Sequence, residues 1–334
     1  MKGIRSGLTI LLLLIICSLP AMAQDSAVNS RSAHHAATLP KPTLKIPQLG
    51  PHIFVPSNLL RDPFIVGYIR NSTGLGMSAR TRVPAIAIDD SLTIGTLNAS
   101  IAGFILEFEY QHAVKDWLAV WGSVNAAGRL GTNTESLISQ GVTALIGFDL
   151  GWMFRLLASE HDALSFTAAL QNGDANIINL LEWVDRILED GTIAPDNQLL
   201  VKQSSLRGAF GLRYAHAFSP LFGAIVNGDL SYGEKIDAKG DTEFSYIIGA
   251  GLSANLDQTT RMPLGFFLGY TTSNFALGTS NLTSNVHSFE LRFAYMGVSD
   301  FVVSLDLGYT STPVSRLDQT INISFLSVNL RYFF

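Results

Sequence analysis

An alternation of large apolar and small or polar residues, repeated along nearly the whole chain, constrains this sequence more than any other feature. In 103–111 the bulky residues Phe104, Leu106, Phe108 and Tyr110 fall at every second place, with Glu107, Glu109 and Gln111 between them. Successive side chains of a β-strand point to opposite faces, so each such run is a strand with one greasy face. The pattern returns as Ile146, Phe148, Leu150, Trp152 and Phe154 against Asp149 and Arg155, and as Phe210, Leu212 and Tyr214 against Arg207 and Arg213. Further copies set Val226, Leu230 and Tyr232 against Asp229, Phe289, Leu291 and Phe293 against Glu290 and Arg292, and Leu305, Leu307 and Tyr309 against Asp306. Beyond the N-terminus no apolar run approaches the length of a membrane-spanning helix, about 20 residues, so helical spans are excluded.

A soluble sandwich would bury the aromatic faces in a core and stud the other faces with charge. Here charged residues make up 15% of the chain, against roughly 25% in soluble domains. The pattern therefore predicts an all-β fold, a transmembrane antiparallel up-and-down β-barrel whose bulky residues face lipid and whose small and polar residues face the lumen. Connections between strands alternate long and short from a first strand near 63–77, giving about twelve strands with both ends on the periplasmic side. The stretch 83–98 leaves room for a thirteenth or fourteenth segment.

Lys2 and Arg5, the apolar run Leu8 to Leu19 and the sequence Ala21-Met22-Ala23 have the order of a secretory signal peptide. Residues 1–23 are expected to be removed before Gln24, and with them Cys17, the one cysteine of the chain. Disulfides, thiolate catalysis and cysteine-based metal sites are thereby excluded from the mature protein. A net charge of −5 offers no basic surplus for nucleic acid. Residues 24–62 hold Pro40, Pro42, Pro47, Pro51 and Pro56 and cannot form a long helix. They read as a periplasmic leader or a lumen plug, ahead of a barrel over 63–334.

The chain ends with Leu326, Val328, Leu330, Tyr332 and Phe334 at alternate places. This resembles the terminal recognition strand of Gram-negative outer-membrane β-barrel proteins. The resemblance implies a location in the outer membrane, with lipid around the barrel and the barrel-assembly machinery as a partner during insertion. Just upstream, Ile321, Ile323 and Phe325 are out of phase with Leu326, which predicts a bulge or a rim segment there. Within that superfamily the chain is similar to outer-membrane transporters of hydrophobic compounds, the long-chain fatty-acid type, in its plug-length N-terminal segment and its barrel. The Asn-Pro-Ala signature of that family is absent, the nearest text being Val83-Pro84-Ala85, so no ligand-binding residue carries over.

Glu107, Glu109, Asp149, Arg155, Arg207, Arg213, Asp229, Glu290, Arg292, Asp306 and Arg331 all fall on the non-lipid faces. They either line a solute path or fill the lumen as ion pairs, since charges buried in protein tend to pair. In 175–190 the spacing of Ile177, Leu180, Leu181, Val184, Ile187 and Leu188 is helical and predicts an amphipathic helix in the longest loop, a candidate gate. His34-His35 lacks further ligands at metal spacing. Gly74-Leu75-Gly76 lacks the rest of a nucleotide fingerprint, and no cofactor is expected. The sequence thus points to passive movement of a small solute, apolar or weakly polar to suit a lumen rich in Gly, Ala and Ser. Its rivals are a closed barrel acting as adhesin or scaffold and, with weaker support, an outer-membrane hydrolase.

Overall fold

The computed structural model describes residues 45–79, 81–84, 87–89, 92–93, 96–100, 102–130, 141–178, 200–234, 242–274, 285–314 and 319–334. A short hairpin, β1 (Gln48–Leu49) and β2 (His52–Ile53), precedes the first wall strand, β3 (Tyr68–Ser78). Four short strands follow as β4 (Thr81–Pro84), β5 (Ala87–Asp89), β6 (Leu92–Thr93) and β7 (Thr96–Ala99). The wall resumes with β8 (Ala102–Lys115), β9 (Leu118–Leu130), β10 (Gly141–Ala158), β11 (Asp162–Ile178), β12 (Leu200–Ala217) and β13 (Phe222–Glu234). It is completed by β14 (Thr242–Asn255), a helical turn α1 (Asp257–Thr260), β15 (Leu264–Ser273), β16 (Val286–Val298), β17 (Phe301–Val314) and β18 (Gln319–Phe333).

Twelve of these strands, β3 and β8 to β18, pair antiparallel with their chain neighbours, and β18 closes the ring against β3. Closure removes every sheet edge, which is what permits a sheet to sit in hydrocarbon. The short strands stay out of the ring: β4 pairs with β7 and β5 with β6, so 83–98 is a hairpin extension and adds no strand to the wall. Strand alternation turns the aromatic residues outward, with Phe210, Phe244 and Leu252 exposed on the outer face. Their neighbours Ala209, Ser245 and Ser253 are buried toward the lumen. Aromatic rings also stack along the outside, as in Trp117–Phe154 and Phe166–Phe210.

Two expectations are corrected. The first concerns Ile321, Ile323 and Phe325: β17 and β18 pair without a register shift through this stretch, with Phe325 opposite Gly308 and Ile323 opposite Thr310. There is no bulge. Because Leu326 is exposed on the outer face, strand alternation carries Phe325 and Ile323 inward. The Phe325 ring occupies the space a Cβ at Gly308 would need, so the glycine makes room for an aromatic residue lying on the inner wall.

The second correction concerns the predicted helix over 175–190. Residues 175–178 belong to β11, where Ile177 pairs with Val142 on one side and Val201 on the other. Ladder hydrogen bonds from two neighbouring strands satisfy the backbone there, which outweighs a marginal helical pattern. Leu180, Leu181, Val184, Ile187 and Leu188 lie outside the described residues. Among the described residues the helical turn is α1, in a connection between β14 and β15.

Candidate functional site

Residues 45–67 fill the end of the lumen where the short turns lie. Pro47, Pro51, Pro56 and Pro63 deny this segment a helix. Gly50, at φ 52°, makes the turn between β1 and β2. The buried apolar side chains of the segment, among them Ile46, Ile53, Phe54, Leu60 and Phe64, form one core with Ile225, Phe267, Met296 and Phe333 of the wall. The wall makes space with small residues. A Cβ at Gly223 would come within 2.7 Å of both His52 Cδ2 and Phe54 Cε1.

Polar contacts tie this plug to both sides of the barrel. The Lys45 amide donates to the Ser299 carbonyl at 3.2 Å. His52 Nδ1 lies 3.1 Å from the Pro220 carbonyl, which can only accept, so Nδ1 carries the proton and Nε2 accepts from Ser253 Oγ at 3.3 Å. Ser253 Oγ in turn accepts the Val55 amide at 2.9 Å. On the far side Gln111 Nε2 donates to the Phe64 and Val66 carbonyls, each at 3.0 Å, and Ser165 Oγ to the Pro63 carbonyl at 2.6 Å.

The plug's tip, residues 56–62, reaches the wall charges. Ser57 Oγ donates to Glu290 Oε2 at 2.6 Å, and the Leu59 amide to the same oxygen at 3.1 Å. Asn58 bridges four wall residues: its Nδ2 donates to Ser72, Asp306 and Asn329, and its Oδ1 accepts from Arg70 at 2.7 Å. Arg61 pairs with Glu109 and stacks 3.5 Å over the Trp121 ring. Asp62 takes Arg331 at 3.2 Å. Arg292 sits between Glu290 at 2.9 Å and Asp306 at 2.6 Å and also donates to the Pro56 carbonyl.

The eleven charges singled out in the sequence thus divide into sets. Glu109, Glu290, Arg292, Asp306 and Arg331 hold the plug. Arg207 pairs with Glu243 at 3.0 Å and Arg213 with Asp229 at 3.4 Å, wall to wall, while Glu107 pairs with Arg70. Asp149 accepts from Ser123 Oγ at 3.3 Å. Arg155 is exposed near the short-turn end, apart from the rest. The sequence reading missed Ser57, Asn58, Arg61, Asp62, Arg70 and Glu243. For Arg70 the signal was present, since it shares its strand face with Tyr68 and Ser72 and all three are buried.

Above the plug, among the described residues, two apolar side chains of the inner wall are exposed. Ile105 shares its strand face with Glu107 and Glu109 yet is 41% exposed, and Ile247, on the inner face with Ser245, is 39% exposed. On the outer rim near the short turns, Asp162 accepts from the Tyr214 hydroxyl, His216 Nδ1 and Ser159 Oγ. Among the described residues no group of three or more His, Cys, Asp and Glu is placed to hold a metal ion.

A closed antiparallel ring with an apolar exterior, a charged interior and a plug defines a transmembrane β-barrel. No protein-family model matches the sequence. No curated protein matches it either. Solved structures that resemble it include three at low identity. An outer membrane channel from Pseudomonas putida F1 aligns with TM-score 0.46 and 14% identity over 84% of this chain and 99% of the channel. A FadL homologue from Pseudomonas aeruginosa aligns with TM-score 0.41 and 10% identity, covering 87% and 99% of the two chains. LpxR from Salmonella typhimurium aligns with TM-score 0.44 and 12% identity, covering 79% and 100%.

The plug's attachment is expected to weaken on acidification. Burial lowers the His52 pKa from its ordinary value of 6.5, and the Pro220 carbonyl opposes this in part. An undocked His52 therefore binds a proton more readily than the docked one. Docking strength contributed by the neutral ring is present above about 6.5 and is lost as pH falls through the lowered value. Ion conductance across a bilayer is expected to rise on acidification through this window, and His52→Gln to flatten the response.

Proposed function

We propose that this chain is a passive transporter of a small solute across the outer membrane, closed at rest by residues 45–67. The observation that carries this reading is the uneven filling of the lumen. The short-turn half is occupied by a segment attached through hydrogen bonds and ion pairs, while inward-facing Ile105 and Ile247 above it remain exposed. A barrel built only for rigidity has no use for an uncovered apolar inner wall. The segment contributes no strand to the ring, so it can move without breaking the ladder around it. The signal-peptide-like order of residues 1–23, the low charge and the terminal strand support the outer-membrane location.

The experiment is planar-bilayer conductance of the refolded full chain beside Gly223→Val, whose side chain collides with His52 and Phe54. The expected result is a nearly silent parent and a conducting variant. Silence from both, with a heat-modifiable gel shift showing that both barrels formed, would overturn the transport reading. That outcome would favour the closed adhesin or scaffold, a reading to which the buried network around Arg292 lends its own support.

A further inference from the structure

The inward charges of the wall are not presented evenly to the lumen. In the three ion pairs made wall to wall, Arg70 with Glu107, Arg207 with Glu243 and Arg213 with Asp229, the arginine side chain is 4–6% exposed and the carboxylate about a quarter. Asp149, on the inner face of β10, is also partly exposed; it accepts from Ser123 Oγ at 3.3 Å and has no cation within ion-pair distance among the described residues. Water in the lumen therefore meets carboxylates, while the cations paired with them are buried. Such a surface draws cations in and holds anions off.

Where the plug's tip meets this wall, one cation is already seated. Arg61 lies 3.5 Å over the Trp121 ring and pairs with Glu109, and its side chain is 18% exposed. The Trp121 ring itself lies over Gly151, in the space a Cβ there would fill, two places from Asp149 on the same strand face. Asp149 pairs across the ladder with Ser123, and Ser123 with Glu109, so two carboxylates flank this place about 10 Å apart at the backbone. The tethered guanidinium serves one of them: its Nη1 is buried without a hydrogen-bond partner, and Glu109 also receives Arg70 and the Tyr68 hydroxyl. Glu109 thus has two cations and Asp149 none. A free cation of the same shape can turn its edge toward both carboxylates while keeping its face on the ring, which combines charge-assisted hydrogen bonds with a cation–π contact. We infer that the solute of the transport reading, on which this inference rests, is an organic cation with a planar guanidinium or amidinium head, and that its place on the wall is the one Arg61 holds while the barrel is closed. A positively charged solute thereby replaces the apolar or weakly polar one expected from composition.

The test is saturation-transfer NMR in lipid nanodiscs with propylguanidinium as probe, beside uncharged propylurea and anionic butyrate, on the full chain and on Arg61→Ala. Glu109 keeps Arg70 and Tyr68 in that variant, and a heat-modifiable gel shift shows that each barrel has formed. Arg61→Ala is expected to bind propylguanidinium saturably and about tenfold or more tighter than the parent, whose own guanidinium holds the place. Neither comparison compound should bind comparably. Adding Trp121→Leu or Asp149→Asn to Arg61→Ala should in each case weaken the binding about tenfold. Propylurea binding as tightly as propylguanidinium, Arg61→Ala binding no tighter than the parent, or binding unchanged by Asp149→Asn would overturn the inference. Bilayer recordings separate it from the transport reading. If Gly223→Val barrels conduct but their reversal potential in a potassium chloride gradient favours chloride, the inference falls and transport stands. If they stay silent while Arg61→Ala shows the expected binding, transport falls and the cation site stands.

Discussion

The Asn58→Ala/Arg61→Ala variant is expected to open the barrel, with long conducting events where the parent is closed. Asn58 holds Ser72, Asp306, Asn329 and Arg70 together at the plug's tip, and Arg61 joins Glu109 to the Trp121 face. A hydrogen bond to a charged group contributes about 1.5–3 kcal/mol. Losing one such contact raises the undocked population about tenfold or more, since each 1.4 kcal/mol is tenfold. The apolar part of the plug, Ile46 to Val55, makes none of these contacts and stays seated. Single-channel recording checks the result, and unchanged open probability in the double variant would show that the tip is not what keeps the lumen shut.

Arg292→Ala should destabilise the whole barrel rather than only free the plug. Arg292, Glu290 and Asp306 are each about 2% exposed or less at the side chain, and Arg292 is the cation both carboxylates contact. Removing one partner of a buried ion pair leaves its opposite charge desolvated, at a cost of about 3–5 kcal/mol. Urea unfolding in lipid vesicles should show the midpoint falling with no change of slope. Adding Asp306→Asn to Arg292→Ala should recover part of the loss, because one of the orphaned charges is then gone. If the double variant is no more stable than the single one, the cost lies in lost packing instead of charge.

These two variants bear on parts of the molecule that were unequally legible in the sequence. The wall was readable because lipid on one side and a lumen on the other impose period two on every strand. That is why Glu107 and Glu109, or Glu290 and Arg292, could be assigned to a face from alternation alone. The break at Ile321, Ile323 and Phe325 was visible, and of its two readings, a bulge or a rim segment, the bulge is excluded. Apolar residues out of phase suggested a bulge, whereas the strand runs straight and simply turns hydrocarbon toward the lumen beside Gly308. The plug was hardly legible. Residues 45–67 have no period, and their structure is imposed by partners far away in the chain, such as Glu290, 233 positions from Ser57. Arg61 and Asp62 gave no local sign of the wall residues that await them. Glu243 could have been found by extending the phase of Phe244 and Tyr246 by one place.

The seam of the ring carries a consequence for the order of events in assembly. β3, which directly follows the plug, pairs with β18, the last strand of the ring in chain order. The plug's tip bonds to Glu290, Asp306 and Asn329, on β16, β17 and β18. Those bonds cannot form before the final hairpin arrives, whereas the contacts of Arg61, Pro63 and Phe64 with Glu109, Ser165 and Gln111 need only the earlier strands. Closing the seam and completing the contacts of the plug's tip thus fall together, because β3 and Asn58 share β18 as their partner.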